Sequence, residues 1–117
     1  MGGISIILRR PPYGTVDASE AVRHLLGALA DGLSARLILV DGGVAVARKG
    51  QTTDETEYLN MESGIGDCLD MGADVFVDRK SMEEACFEAG DLLDGVRISD
   101  SKEIAAALRD ADTTMIF

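Results

Sequence analysis

The strongest nucleophiles in this sequence are two thiols, Cys68 and Cys86. A cysteine can carry sulfur, join a disulfide or sit inert, depending on burial and on the charges beside it. Cys68 shares a helical face with Ile65 and Leu69, and Cys86 shares one with Met82 and Ala89. Both are therefore expected as core cysteines, whose burial raises the thiol pKa and quietens the group. Glu83, Glu84 and Glu88 add negative charge near Cys86, which opposes a thiolate. There is no C-x-x-C and no Cys/His set at zinc spacing, so no metal centre and no cofactor is expected. His24, the single histidine, lies off the apolar stripe of its helix and reads as a solvated side chain rather than a general base. Asp54, Glu55 and Glu57 read as a solvated loop.

A second constellation is cationic. Arg9, Arg10, Arg79 and Lys80 each follow a short apolar run. If those runs are parallel strands, these residues stand at the carboxyl ends, where ligands bind in open α/β sheets. Tyr13, Gly14 and Thr15, then Asp41, Gly42 and Gly43, then Asp78, Ser99 and Asp100 would stand there too. Together they are candidates for a small-anion or nucleotide site, chiefly through Arg9, Tyr13, Gly14, Gly42 and Arg79. The plainer reading is solvated loop charges paired with nearby aspartates. Neither G-x-x-x-x-G-K-[ST] nor G-x-G-x-x-G occurs, so no phosphate loop supports the ligand reading.

The elements that must position these residues alternate along the chain. Ile4–Leu8, Leu37–Val40, Ala73–Val77, Val96–Ile98 and Met115–Phe117 are short apolar runs, suited to strands buried on both faces. Helix-like segments lie between them. Asp17-x-x-Glu20 is expected to cap the first, whose apolar stripe is Val22, Leu25, Leu26 and Leu29. A weaker helix is expected from near Glu62 to Gly72, diluted by Gly64 and Gly66. Ser81-x-x-Glu84 is expected to open a third, and Asp100-x-x-Glu103 a fourth with Ile104 and Leu108 on one face. The residues from Gly42 to about Asn60 read as one long irregular loop. This alternation predicts a parallel sheet with helices on both sides, in a single domain over residues 1–117.

The bulk numbers restrict the function classes. The chain has 117 residues, a formal net charge of −10 and a pI near 4.3. Nucleic acid and anionic membranes both attract basic faces, so neither is an expected partner. The first apolar run is too short for a signal peptide or a membrane span, which makes the cytoplasm the expected compartment.

Several ordered pieces add a resemblance. Pro12-Tyr13-Gly14-Thr15, Asp41-Gly42-Gly43-Val44, Lys49-Gly50-Gln51 with Tyr58 and Asn60, and Asp91-Leu92-Leu93-Asp94-Gly95-Val96 together resemble the DsrE/DsrF/TusC family of sulfur-relay proteins. The resemblance implies a three-layer α/β/α sandwich around a five-stranded parallel sheet. It implies oligomers, of this chain alone or with related subunits, and a persulfide relay in the active members. It places the acceptor cysteine of such members after the third strand, at about Asp78, and the second cysteine of a C-x-x-C form at Ser81. Asp78 cannot form a persulfide. The resemblance therefore implies an accessory subunit that assembles with itself or with cysteine-bearing paralogues. A sulfurtransferase using Cys86, or less directly Cys68, and the anion-binding module are the alternatives.

Overall fold

The computed structural model describes residues 3–117. The expected domain over 1–117 includes Met1 and Gly2, which lie outside the described residues. In chain order the elements are β1 (Ile4–Leu8), α1 (Asp17–Ala30), β2 (Ala35–Leu39), a 3-10 helix (Asp41–Ala47), α2 (Met61–Asp70), β3 (Asp74–Asp78) and α3 (Arg79–Glu84). A short 3-10 turn (Ala89–Asp91), β4 (Arg97–Ser99), α4 (Ser101–Asp110) and β5 (Thr113–Ile116) complete the chain. The five strands form one parallel sheet in the order β4-β3-β2-β1-β5, with helices on both sides, as expected.

Strand periodicity assigns the two faces of this sheet. Ile6, Leu8, Leu37, Leu39, Val75 and Val77 are fully buried on one face, in a single core with Ala18, Ala21 and Leu25 of α1 and Ile65 and Cys68 of α2. Ser5, Ile7, Arg36, Ile38 and Phe76 alternate onto the other face, which α4 covers. This cover is thin, because no residue of α4 is fully buried. Arg36 links the layers. Its guanidinium, nearly buried on β2, donates to the Ala107 carbonyl at 2.7 Å and lies 3.7 Å from Asp110. A cation at the last turn of α4 complements both the unpaired carbonyls and the helix dipole.

Three expectations need correction. The first helix is not capped by Asp17: Val16 occupies the capping position without a side-chain bond, and Asp17 is already helical. Thr15 Oγ accepts from the Asp17 amide instead, while Glu20 turns to Arg23 at 2.6 Å. Next, the stretch from Gly42 to Asn60 is not uniformly irregular. Its first part winds into the 3-10 helix because Gly43, Val44, Val46 and Ala47 bury against the sheet's end.

Finally, the third helix starts at Arg79 rather than Ser81. Asp78 caps it by accepting from the Ser81 amide at 3.1 Å. It ends at Glu84, and the following residues form a Schellman-type stop: the Cys86 amide donates to Glu83 O and the Phe87 amide to Met82 O, both at 3.0 Å. Cys86 thus takes the left-handed position with φ 61°. Its side chain is exposed, not packed in the core as the Met82/Ala89 stripe suggested. A non-glycine residue there costs about 1 kcal/mol. Cys86→Gly is therefore expected to raise stability by roughly that amount, read as a higher denaturant midpoint with an unchanged slope.

Candidate functional site

At the carboxyl end of the sheet, Asp78 sits where β3 passes into α3. Its Oδ2 accepts from the Ser81 hydroxyl at 2.5 Å as well as from the Ser81 amide. The same Ser81 oxygen accepts from the Asp41 amide at 2.9 Å, at the end of β2. Asp41 itself holds a left-handed backbone, φ 49°. The chain Asp78–Ser81–Asp41 therefore ties two neighbouring strand ends together, and it uses the carboxylate that the resemblance places at the acceptor position. The signal for it was legible as Asp78-x-x-Ser81, an N-cap spacing, which the Ser81-x-x-Glu84 reading passed over.

Beside this tie, Asp78, Arg79, Lys80, Glu83, Asp100 and Ser101 line a cleft of about 370 Å³. Three carboxylates against two cations make it a poor host for an anion. The other proposed ligand residues are elsewhere. Arg9 does not line this cleft, and Arg10 lies 3.6 Å from Asp17. Gly42 packs beneath Pro11 and the Arg9 carbonyl. Gly14 is a turn residue at φ 98° with open space where a side chain would be. The structure does not bring Arg9, Tyr13, Gly14, Gly42 and Arg79 into one cleft.

Tyr13 has a structural partner that sequence reasoning missed. Its hydroxyl donates to Gln51 Oε1 at 2.5 Å and accepts from the Met61 amide at 3.3 Å, at the start of α2. Gln51 in turn donates through Nε2 to Val46 O at 2.9 Å and Arg48 O at 2.8 Å. Its amide donates to Glu62 Oε1, and its carbonyl accepts from Asn60 Nδ2. Tyr58 meets the Tyr13 ring edge-on, 5.5 Å between centroids. Further along, the Lys49 amide donates to Asp91 O and the Leu93 amide to Ala47 O. The separated motif pieces are thus bonded to one another as a framework around the sheet's end.

The thiols differ sharply. Cys68 is fully buried on α2, and that burial, with Asp67 adding to it, pushes its thiol up to about 11 from an ordinary 9.0. Cys86 stands exposed beyond α3. In native protein at about pH 8, Cys86 is expected to react fully with a disulfide reagent while Cys68 reacts only on unfolding. The raised Cys68 pKa also has a stability consequence. The unfolded chain loses this proton first, so stability is intact below about pH 9 and declines as pH rises through about 11. Denaturant midpoints across that range, compared with Cys68→Ser, check the sign.

His24 Nδ1 lies 2.8 Å from the Glu20 carbonyl, and its ring meets Phe117, 5.4 Å between centroids; it is half-buried rather than solvated. The bond from Arg23 holds the Glu20 carboxyl below its usual range. Among the described residues no group of three or more His, Cys, Asp or Glu could hold a metal ion. Among them, too, no helix is long and apolar enough to cross a membrane. A larger apolar groove, about 520 Å³, runs between α1 and α2 past Val22, Leu26, Leu59 and Met61, and contains no nucleophile beyond the hydroxyls of Ser19 and Ser63.

Known proteins resemble this chain over nearly its whole length. Two archaeal proteins are similar: MK0008 of Methanopyrus kandleri, 26% identical over 115 residues, covering 97% of this chain and 93% of that protein, and MJ0989 of Methanocaldococcus jannaschii, 27% identical over 114 residues, covering 97% of each. Among solved structures, the YchN protein of E. coli superposes with a TM-score of 0.90 at 23% identity, covering 100% of both chains. MTH1491 from Methanobacterium thermoautotrophicum gives 0.67 at 17% identity, covering 93% of this chain and 90% of that one. The family model described as DsrE/DsrF-like matches residues 3–117, and the chain belongs to the DsrE/DsrF-like family.

Proposed function

We propose that this chain is a non-catalytic subunit of a cytoplasmic sulfur-relay assembly, acting through contacts with itself or with cysteine-bearing relatives rather than by carrying sulfur. The observation that supports this reading is Asp78. The residue at the expected acceptor position is a carboxylate, and two hydrogen bonds from Ser81 already commit it to capping α3. A group held in this way anchors the strand end and offers no sulfur chemistry.

One observation favours a second reading. Cys86 is exposed, with a strained backbone, on the turn that closes α3, so a persulfide could form there without opening the core. Against it stand the surrounding Glu83, Glu84 and Glu88 and the position of Cys86 beyond the carboxyl end of α3, so an incoming anionic persulfide meets negative charge there.

Incubating the native protein with a low-molecular-weight persulfide, blocking with an alkylating reagent and weighing the intact chain separates the two. The expected result is no sulfane sulfur that passes from this protein to a second thiol. Sulfur trapped on Cys86 and then delivered to an acceptor, with Cys86→Ser abolishing delivery, would overturn the accessory reading in favour of the second.

A further inference from the structure

The apolar groove of about 520 Å³ lies between one ridge of α1 and one of α2. Ser19, Val22 and Leu26 rise from α1, and Asn60, Gly64 and Asp67 from the cap and body of α2. Each set has the i, i+3/i+4, i+7 spacing of a single helix face. Both helices pack on the same face of a parallel sheet, so the ridges run side by side in one direction. Seven residues of helix span about 10 Å, or two turns. A groove between two such ridges is the shape that a third helix fills.

Gly64 keeps the groove open. Asn60 caps α2 by accepting from the Ser63 amide at 3.0 Å. That puts Leu59 just before the cap and Gly64 at the fourth helical residue, two positions whose apolar side chains commonly pack together. Gly64 has no side chain to offer, and Leu59 stays 71% exposed. The same glycine bares the floor, where a Cβ would stand 3.3 Å from Val22 Cγ1. Tyr58 and Val16, both exposed, extend the apolar surface beyond Leu59, and Tyr58 is held by its edge-on contact with Tyr13. Continuous exposed apolar surface of this kind marks a site of association.

Charge selects the guest. Asp67 closes one end of the groove, and Glu57 stands beside Tyr58 and Leu59 at the other. Both carboxylates are exposed, and neither has an ion-pair partner among the described residues. The one cation in the lining, Arg23, is already bonded to Glu20 at 2.6 Å. A second copy is a poor guest, because it brings another net charge of −10. Its helices also have no apolar stripe to spare: those of α1 and α2 are buried in the core, and Ile104 and Leu108 of α4 are half-buried. We propose that this groove docks a basic amphipathic helix of a different protein. Two turns of its apolar side chains lie between α1 and α2, beside Leu59, and a lysine or arginine at each end meets Glu57 or Asp67. Helix-in-groove binding reads a guest by its i, i+3/i+4, i+7 anchors, and the acidic surface steers a cationic guest inward. The guest is neither a copy of this chain nor a cysteine-bearing relative, so this docking goes beyond the functional reading above and does not rest on it.

The probe is a dye-labelled model helix of leucine and lysine, with leucines at i, i+3, i+4 and i+7 and lysines at both ends. It is titrated into the full chain at low ionic strength and followed by fluorescence anisotropy, with circular dichroism confirming that each variant is folded. Wild type is expected to bind it saturably, one helix per chain. Leu59→Ser and Gly64→Leu should each weaken binding about tenfold, the first by removing an anchor and the second by filling the groove. Asp67→Lys should weaken it by about tenfold too, and a probe with glutamates in place of the lysines at one end should recover that loss. Glu84→Lys, the same charge change on α3 away from the groove, should leave binding within about twofold. A wild type that does not bind saturably would overturn the proposal. So would Leu59→Ser binding as well as wild type, or Glu84→Lys losing as much as Asp67→Lys, since attraction to bulk charge would then explain the result. Two other occupants would also sink it: copies that exclude the probe and that Leu59→Ser separates in sedimentation, or a small molecule retained in the groove and seen by native mass spectrometry. The persulfide experiment is decided independently of all these results.

Discussion

Gly43→Ala is expected to destabilise the protein by about 3 kcal/mol, at the upper end of what overpacking costs. A Cβ at this position would stand 2.1 Å from the Leu8 carbonyl oxygen and 2.9 Å from its carbon. Neither atom can step aside. Leu8 is fully buried at the end of β1, and its carbonyl accepts from the Val40 amide at 3.1 Å. Relief would mean lifting the 3-10 helix off the sheet and opening the packing of Val44 and Val46. Gly42→Ala is the matched control: its Cβ would meet Pro11 Cδ at 3.1 Å and the Arg9 carbonyl at 3.3 Å, contacts on an exposed loop that a small shift relieves, at a cost of about 1 kcal/mol. Urea midpoints for the two variants give the comparison. Equal midpoints for Gly43→Ala and wild type would show that the close approach to Leu8 is not obligatory.

Gln51→Ala has the second large effect, also about 3 kcal/mol. The side chain serves three carbonyl or hydroxyl partners at once: Val46 O and Arg48 O from Nε2, and the Tyr13 hydroxyl at Oε1. Removing it leaves a half-buried tyrosine hydroxyl and the 3-10 carbonyls looking for water, and unsatisfied groups of this kind each carry roughly 1–3 kcal/mol. Tyr13→Phe deletes only the hydroxyl end of the network and should lose about 1 kcal/mol. Thermal melts rank the variants. Limited proteolysis between Gln51 and Asn60 should speed up more for Gln51→Ala than for Tyr13→Phe, since only Gln51→Ala also removes the side-chain bonds to Val46 O and Arg48 O that hold the start of that loop. The reverse ranking would place the weight of the network on the tyrosine.

The architecture was legible because burial on both faces leaves a plain mark in sequence. Ile6, Leu37 and Val75 sit in continuous apolar runs, and the α4 cap was readable from Asp100 and Glu103 alone, where both reciprocal bonds form. The site was much less legible. Cys86 looked like a core residue because helical spacing was carried past Glu84, whereas the Asp78 cap starts the helix earlier and the turn after Glu84 throws the thiol outward. Periodicity gives the phase of a helix but does not say where the helix stops. Tyr13 looked like a ligand-loop residue because its contact with Gln51, 38 positions away in the chain, leaves no trace in local pattern. Several of the motif pieces that carry the family resemblance are, in space, parts that bond to each other: Tyr13 with Gln51, Gln51 with Asn60, and Lys49 with Asp91.

The strand order has a consequence for synthesis. β1 through β4 add to the sheet in the order in which they emerge, each beside its predecessor, but β5 must return to the far side of β1. The outer flank of β1 therefore stays uncovered from the moment β2 docks until the fifth strand leaves the ribosome. During that interval the nascent chain presents Ile4-Ser5-Ile6-Ile7-Leu8, a segment of the kind that recruits stray β-partners. Closing the sheet on its first strand with its fifth leaves that flank open while residues 40–112, about two thirds of the chain, are being made.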